Sequence, residues 1–221
     1  MKKHPFNMVE ILLALGVVAV GICSVMVLFP VGSNATRDSA METYASTSAE
    51  QILNMVKYKL TAPDDSGVYR NWATYIGTDS SHGSLYKASE PTEPSGLDAD
   101  LEFSSTANAR WSNADELIGG QTLKGGIFRH STHKNFYQIV IHRGDMESNL
   151  SEISPENVDF RAVASLWASE VVYKPENAGG TGGKLPLRNA ARLNLRISWP
   201  AELPQSARQS AFYTLEVFMD K

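Results

Sequence analysis

The sequence predicts an α+β protein in which a long N-terminal helix packs on a C-terminal antiparallel sheet. Three features support this class: an uncharged apolar run near the N-terminus, an amphipathic stripe that follows it, and four β-rich segments towards the C-terminus. Between the helix and the sheet, residues 63 to 125 are rich in Ser, Gly, Asp, Pro and Thr. Aromatic residues recur in this region, so we expect an ordered, loop-rich insert with short strands rather than a disordered linker.

The apolar run extends from Ile11 to Phe29 and contains no Asp, Glu, Lys or Arg. As an α-helix it would be about 28 Å long, which is close to the thickness of the hydrocarbon core of a bilayer. The run ends in Val27-Leu28-Phe29-Pro30 rather than in a small-residue cleavage site, which favours a retained single-pass anchor. Lys2 and Lys3 precede the run and no dense basic cluster follows it, so the N-terminus is expected in the cytoplasm and the chain after Gly32 outside.

A second helical segment is predicted over residues 34 to 61, because apolar side chains recur there at steps of three and four residues. Ser33-Asn34 would cap its start, and Pro63 would end it. Pro30 lacks a backbone donor and therefore predicts a kink or a local opening between the two helical halves. The stripe that should pack on a partner layer consists of Met41, Ala45, Ala49, Ile52, Val56 and Leu60.

Four segments near the C-terminus have the alternation and the β-branched and aromatic residues typical of strands. In the third, Leu193, Leu195 and Ile197 alternate with polar residues, as in a half-buried antiparallel strand. Glycines between residues 175 and 191 and prolines between residues 200 and 210 predict exposed hairpin connections. The four predicted strands are Asn135–Arg143, Leu166–Lys174, Arg192–Trp199 and Ala211–Met219.

The charge balance argues against one class of partner. The 221-residue chain has 20 basic and 24 acidic residues; without Lys2, Lys3 and Glu10, the exterior region keeps 18 basic and 23 acidic residues, a net charge of −5. A nucleic-acid groove requires a basic surface, so we expect no nucleic-acid partner. A DNA-capturing role is the alternative left by one local basic row, which consists of Arg188, Arg192 and Arg196.

The motifs that usually accompany catalysis are weak in this sequence. His130 and His133 are expected in a loop and His142 on a strand, without the carboxylate–histidine helix of a zinc site. Ser131-Thr132-His133-Lys134 matches S-x-x-K but precedes a predicted strand instead of starting a helix. Glu202 is the only carboxylate of its loop, which is too few oxygen ligands for calcium. We therefore predict a protein that is not an enzyme, with no catalytic residue, no metal and no cofactor.

Glu10 is the residue of the N-terminal segment that most needs an explanation. It follows Phe6-Asn7-Met8-Val9 and directly precedes the apolar run, where an ionised side chain costs at least a few kcal/mol unless a partner offsets the cost. One explanation is an ordinary interfacial carboxylate at headgroup depth beside Lys2 and Lys3. The other is a positive group supplied by a neighbouring molecule.

The N-terminus of this chain resembles that of type IV pilin-like proteins, which include pseudopilins and prepilin-type cassette proteins. The shared features are a short basic leader, a Phe, a variable triplet, a Glu, and an apolar helix that continues into an amphipathic half. The resemblance is specific over residues 6–10 and loose elsewhere. It implies cleavage by a prepilin peptidase between Pro5 and Phe6, N-methylation of Phe6, and pairing of Glu10 with the amine of a neighbouring subunit. Pro5 departs from the family, which has Gly there; with the leader uncleaved, Glu10 would pair with a leader lysine or a lipid headgroup.

Cys23 is the only cysteine, so the C-terminal disulfide loop of many pilus-forming pilins is absent, which favours a pseudopilin or a minor pilin. The resemblance implies a leader-like segment at 1–5, a transmembrane and filament-core helix at 6–32, and an exterior α+β domain at 33–221. The implied function is that of a structural subunit of a type IV pilus-like filament or a type II secretion pseudopilus, held in the inner membrane before assembly beside homologous subunits. The alternative is a single-pass membrane-tethered binding or enzyme domain with no filament role.

Overall fold

The computed structural model describes residues 7–63, 67, 70–78, 81–102, 105–113, 126–143, 150, 153–173 and 183–219. The chain forms two compact units, Met1–Thr43 and Tyr44–Lys221. The boundary predicted between residues 32 and 33 separates a membrane-spanning segment from an exterior domain. Because the two units are defined by packing and not by the membrane, this boundary stays a prediction. Within the described residues the protein is α+β, as the sequence predicts.

Helix α1 extends from Met8 to Thr61, a length of 54 residues. It continues through Pro30, so the predicted local opening and the predicted restart at Ser33-Asn34 are wrong. A proline removes one i→i−4 hydrogen bond, and the helical turns before and after it maintain the helix. The two helical halves predicted from the sequence are therefore one continuous element.

Ten strands and three short helices follow α1 in the described residues. The short helices are α2 (Arg70–Tyr75), α3 (Leu97–Asp100) and α4 (Ser105–Asn108), and single 3₁₀ turns occupy Pro155–Asn157 and Gln205–Ala207. The strands are β1 (Gly77–Thr78), β2 (Ser81–His82), β3 (Trp111–Asn113), β4 (Ile127–His130), β5 (Phe136–His142), β6 (Val158–Ser169), β7 (Val172–Tyr173), β8 (Gly183–Lys184), β9 (Ala190–Trp199) and β10 (Gln209–Phe218).

Six of these strands form one antiparallel sheet in the order β10-β9-β6-β5-β4-β3. The other four form two small hairpins, β1 with β2 and β7 with β8. Every neighbouring pair in the main sheet is antiparallel, so hairpins and returning connections are sufficient to build it.

Three of the four predicted strands, those that became β5, β9 and β10, are confirmed with bounds shifted by at most two residues. The prediction for Leu166–Lys174 is displaced, because β6 begins at Val158 and ends at Ser169, and Val172–Tyr173 forms a separate strand. Alternation missed the first half of β6 because its polar residues lie on a face that distant segments of the chain cover. Strand β4 has no counterpart among the predicted strands, and β3 is one of the short strands expected in the insert.

The C-terminal end of α1 packs on one face of the sheet. The ring of Tyr44 lies 5.7 Å from that of Phe160 on β6, measured between centroids. The predicted stripe is confirmed over most of its length, whereas Met41 is only half-buried. The members of the stripe that are at most 1% exposed are Ala45, Ala49, Ile52, Val56 and Leu60.

The insert covers the opposite face of the sheet. Leu97 and Leu101 of the insert join a buried cluster with strand residues from that face. On β9, Asn194 and Ser198 are only 9% and 7% exposed, so the prediction of a half-buried strand is wrong. The sheet is instead an inner layer between α1 and the insert. The buried cluster consists of Leu97, Leu101, Trp111, Phe128, Phe136, Val140, Leu150, Ile153, Val163 and Ala201.

The connection between β9 and β10 is held by a buried arginine. Arg208 donates from Nη1 to Glu93 Oε1 at 2.8 Å, from Nη2 to Asp98 Oδ1 at 2.5 Å and from Nε to the carbonyl of Leu203 at 2.6 Å. Its side chain has no exposed surface. Ala201 is also buried, so the prediction that this connection is exposed is wrong at these two residues. In the other predicted connection, residues 174–182 lie outside the described residues.

Candidate functional site: the exposed apolar helix and Glu10

The N-terminal half of α1 is apolar and has no buried residue. Every residue from Asn7 to Ala40 is exposed, and Val17, Val20 and Phe29 are 65%, 69% and 76% exposed. The exposed apolar residues occupy all sides of the helix rather than one stripe, which is the pattern of a helix surrounded by apolar material. By length and composition, α1 is the one helix among the described residues that is able to cross a membrane.

Two hydroxyl side chains in this half of the helix bond to its own backbone. Ser24 Oγ donates to the carbonyl of Val20 at 2.8 Å, and Thr36 Oγ1 donates to the carbonyl of Gly32 at 2.9 Å. Internal bonds of this kind satisfy hydroxyl groups where no water is available. The helix can therefore enter an apolar environment without leaving these hydroxyls unpaired.

Glu10 lies in the first turn of α1, where a negative charge is favoured by the helix dipole. The backbone N–H of Asn7 donates to its Oε2 at 3.2 Å, and the N–H of Glu10 donates to the carbonyl of Asn7 at 2.9 Å. The side chain is exposed. Its carboxylate thus helps to start the helix and remains accessible to a group from another molecule.

Of the three predicted site residues, Glu10 is the one that lies within the described residues. Pro5 and Phe6, the pair between which cleavage is predicted, lie outside the described residues. Processing and N-methylation at Phe6 accordingly stay predictions.

The three histidines considered as metal ligands are not grouped into a site. His130 ends β4 and is buried, so its predicted position in a loop is wrong; His133 is exposed in the turn that follows, and His142 ends β5. Among the residues that the structure describes, no three His, Cys, Asp or Glu side chains are placed to hold a metal ion.

His130 belongs instead to a buried polar network that the sequence did not reveal. Its Nε2 lies 3.0 Å from Asp100 Oδ2, and the backbone N–H groups of Thr132 and His133 donate to its Nδ1 at 3.2 and 2.9 Å. Because Nδ1 accepts two hydrogen bonds, the ring proton is assigned to Nε2, which donates to Asp100. Both ring nitrogens therefore have a partner. Burial lowers the pKa of His130, so the ring is held neutral. The imidazole offers no free nitrogen to a substrate or a metal.

Asp100 is the centre of this network. Arg110 Nη1 lies 2.8 Å from its Oδ1, and Trp111 Nε1 donates to its backbone carbonyl at 2.7 Å. Asp100 is in α3, whereas Trp111 starts β3, so the network joins the insert to the edge of the sheet. Its geometry is that of a structural clamp.

Two arginines of the row considered for DNA binding form ion pairs within the fold. Arg192 Nη2 lies 2.8 Å from Glu216 Oε1, and Arg196 Nη1 lies 2.9 Å from Glu90 Oε1. The charge that these two arginines present to an external phosphate is therefore reduced.

A cavity of about 470 Å³ lies between α3 and the connection that follows β9. Arg161 lines it and is 4% exposed, with its Nη1 3.8 Å from Glu202 Oε1. Burial lowers the pKa of Arg161 to about 10, which still leaves the guanidinium charged at neutral pH. Within the described residues, the cavity lining contains carboxylates and a guanidinium but no nucleophilic hydroxyl, thiol or imidazole.

No protein-family model matches this sequence, and no curated protein and no solved structure matches it significantly. The function must be inferred from the residues of the chain itself.

Proposed function

We propose that this chain is a structural subunit of a type IV pilus-like filament or a type II secretion pseudopilus. Before assembly, its N-terminal helix would anchor it in the inner membrane, with the N-terminus in the cytoplasm and the C-terminal unit outside. The observation that carries the proposal is the exposed apolar surface of α1 from Met8 to Val31, with Glu10 in its first turn. Such a surface requires lipid or the apolar helices of neighbouring subunits, and assembly from a membrane supplies first one and then the other.

Glu10 would set the axial register of the filament. Inside a bundle of apolar helices, a carboxylate is stable only when a positive group with good geometry pairs with it. The resemblance over residues 6–10 supplies a candidate, the amine of Phe6 on a neighbouring subunit after cleavage by a prepilin peptidase. One pair per subunit is enough to select one longitudinal position out of many that helix packing alone would allow.

The C-terminal unit supports a role without catalytic turnover. Its buried Asp100–His130 pair is bonded within the fold and joins α3 to β4. We propose homologous pilin or pseudopilin subunits as its partners, and no nucleic acid.

The test is Glu10→Ala in the full chain, expressed with its partner subunits and followed by co-purification. We expect incorporation to fall about a hundred-fold or more, because leaving one member of a buried ion pair without its partner costs about 3–5 kcal/mol. Glu42→Ala is the matched control, since Glu42 is an exposed acid on the same helix beyond the apolar run. Neither substitution should change the unfolding of the C-terminal unit.

Incorporation of Glu10→Ala at the wild-type level would remove the register role. The mass of the mature N-terminus provides an independent measurement, because a methylated chain that starts at Phe6 is specific to the filament family. A chain that in-membrane crosslinking finds only as a solitary monomer would refute the filament and favour the tethered-domain alternative.

A further inference from the structure

The two edges of the six-stranded sheet differ in how they are protected. The β3 edge is three residues long, whereas β10 is ten residues long and pairs with β9 without a bulge. Natural edge strands are usually protected by shortness, by Lys or Pro, or by a bulge. The β10 sequence, QSAFYTLEVF, contains no Lys, Arg, Pro or Gly. This edge therefore lacks the protection of shortness, lysine, proline or a bulge, and Glu216 is the one charged residue of the strand.

The backbone of β10 presents a regular row of groups on its outer side. The N–H of Met219 donates to the carbonyl of Asn189 at 3.0 Å, which fixes the phase of the β9–β10 ladder. In an antiparallel pair, alternate residues turn their N–H and C=O groups away from the partner. On β10, the outward backbone amides belong to Ser210, Phe212, Thr214, Glu216 and Phe218. No hydrogen bond from these amides to another described residue is present.

Side chains on both sides of this edge form a docking groove. Phe212 and Phe218 are 58% and 54% exposed on one face of the strand. On the other side, a groove of about 480 Å³ runs between α1 and β10. A helix wall beside an open strand edge is the arrangement that accepts an extended peptide as an added strand. The groove is lined by Ser46, Glu50, Leu53, Asn54, Phe212, Tyr213, Thr214 and Leu215.

We propose that β10 is a docking edge for an extended segment of a partner protein, which adds to the sheet as an antiparallel strand with alternating apolar and basic side chains. The ionic side chains along the edge and groove are the acids Glu50 and Glu216, and neither β10 nor the groove lining contains a cation. The strand that already pairs with β10 has the proposed chemistry. On β9, Arg192 binds Glu216 at 2.8 Å, and the Arg196 guanidinium lies 5.4 Å from the centroid of the Phe212 ring.

A second copy of β10 fits this edge less well. Its β10 contains no cation, and its Glu216 is already paired with Arg192 of its own β9, so it supplies no basic side chain from the added strand. The inference goes beyond the proposed function, because a tethered domain and a filament subunit would both use the edge.

The test uses the full chain in detergent micelles and a fluorescent peptide with the β9 sequence, AARLNLRISW, as the probe. We expect saturable binding by fluorescence anisotropy and at least a ten-fold loss of affinity for Thr214→Pro. Proline there removes an outward amide and no β9–β10 bond, so the sheet should be preserved. Thr214→Ala is the matched control and should bind like the wild type. Absence of saturable binding to the wild type, or equal binding by the two variants, overturns the proposal.

A second variant keeps the test independent of the stability of Thr214→Pro. Glu50→Lys changes an exposed residue on α1, outside the sheet, and should weaken binding of the peptide about three-fold or more. Unchanged affinity would overturn the assignment of a basic partner. In membranes, a symmetric disulfide between Thr214→Cys chains that also carry Cys23→Ser would show that a second copy occupies the edge, which overturns the assignment of a different protein.

Discussion

The apolar segment of α1, residues 8–31, and its packed segment, residues 44–61, belong to the same helix, yet their burial is opposite. The apolar segment has no buried residue, and its apolar side chains occupy all sides of the helix. The packed segment has a single buried stripe, while its Glu50 and Lys57 are exposed. The backbone hydrogen bonds of an α-helix are the same in both environments, so the side-chain pattern shows where the partner is. The packed segment has its partner within the chain, and the apolar segment needs one from outside.

The largest expected effect comes from placing charge in the apolar segment. Two arginines, introduced together as Val17→Arg and Val20→Arg, should release the protein from membranes, because each costs about 2.5–3.5 kcal/mol at the centre of a membrane helix. Carbonate extraction followed by immunoblotting measures retention. The control replaces two exposed residues of the packed segment, Gln51→Arg and Tyr58→Arg, and should stay in the membrane fraction. Retention of both variants would contradict the difference between the two segments.

The same substitution at two isoleucines of α1 tests burial directly. Ile52 is fully buried and Ile22 is 53% exposed. Ile52→Ala should lower the free energy of unfolding of the C-terminal unit by about 2–5 kcal/mol, because it leaves a cavity in the core. Ile22→Ala should leave that free energy unchanged. Urea unfolding in detergent, followed by near-UV circular dichroism, measures both; similar values for the two variants would refute the comparison.

The smallest expected effect is a pH dependence confined to the C-terminal unit. Burial holds the pKa of His130 below its usual 6.5, so the unfolded chain binds more protons than the folded one as the pH falls below that value. Stability is then fully present above about pH 6.5 and is lost as the pH falls through the lowered pKa, with a slope of at most about 1.4 kcal/mol per pH unit.

Unfolding curves between about pH 7.5 and 5.5 measure this dependence, since that range includes the usual pKa of histidine. His130→Gln retains a donor for Asp100 but does not titrate, so it should flatten the profile. His142→Gln, at the end of β5, is the control and should leave the profile unchanged. A wild-type profile with no slope in this range would show that His130 does not control the acid stability of the unit.

Much of the fold could be predicted because it depends on short-range periodicity. The buried stripe from Ala45 to Leu60 repeats with the period of a helix, and β9 and β10 alternate with the period of a strand. Patterns of this kind need no knowledge of a partner's identity. The same reasoning found Glu10, since a carboxylate at the start of an apolar run stands out from its neighbours.

The predictions failed where polar residues are buried by distant segments of the chain. Arg161 and Ser165 give residues 158–165 of β6 the composition of a surface segment, although both side chains are buried. Asp100 and His130 are 30 residues apart, and Arg208 and Glu93 are 115 residues apart. Neither pair has a local signal, because an ionisable residue in a loop sequence is usually solvated.

The sequence by itself determined the apolar helix, its amphipathic continuation, the position of Glu10 and most of the sheet, because each depends on residues within a few positions of one another. Only the tertiary structure decided that the inner strands of the sheet are covered on both faces, that His130 is hydrogen-bonded to Asp100, and that β10 is left with an open edge. These features depend on which strands become neighbours and on which loops fold over them, and side chains far apart in the sequence make those contacts together.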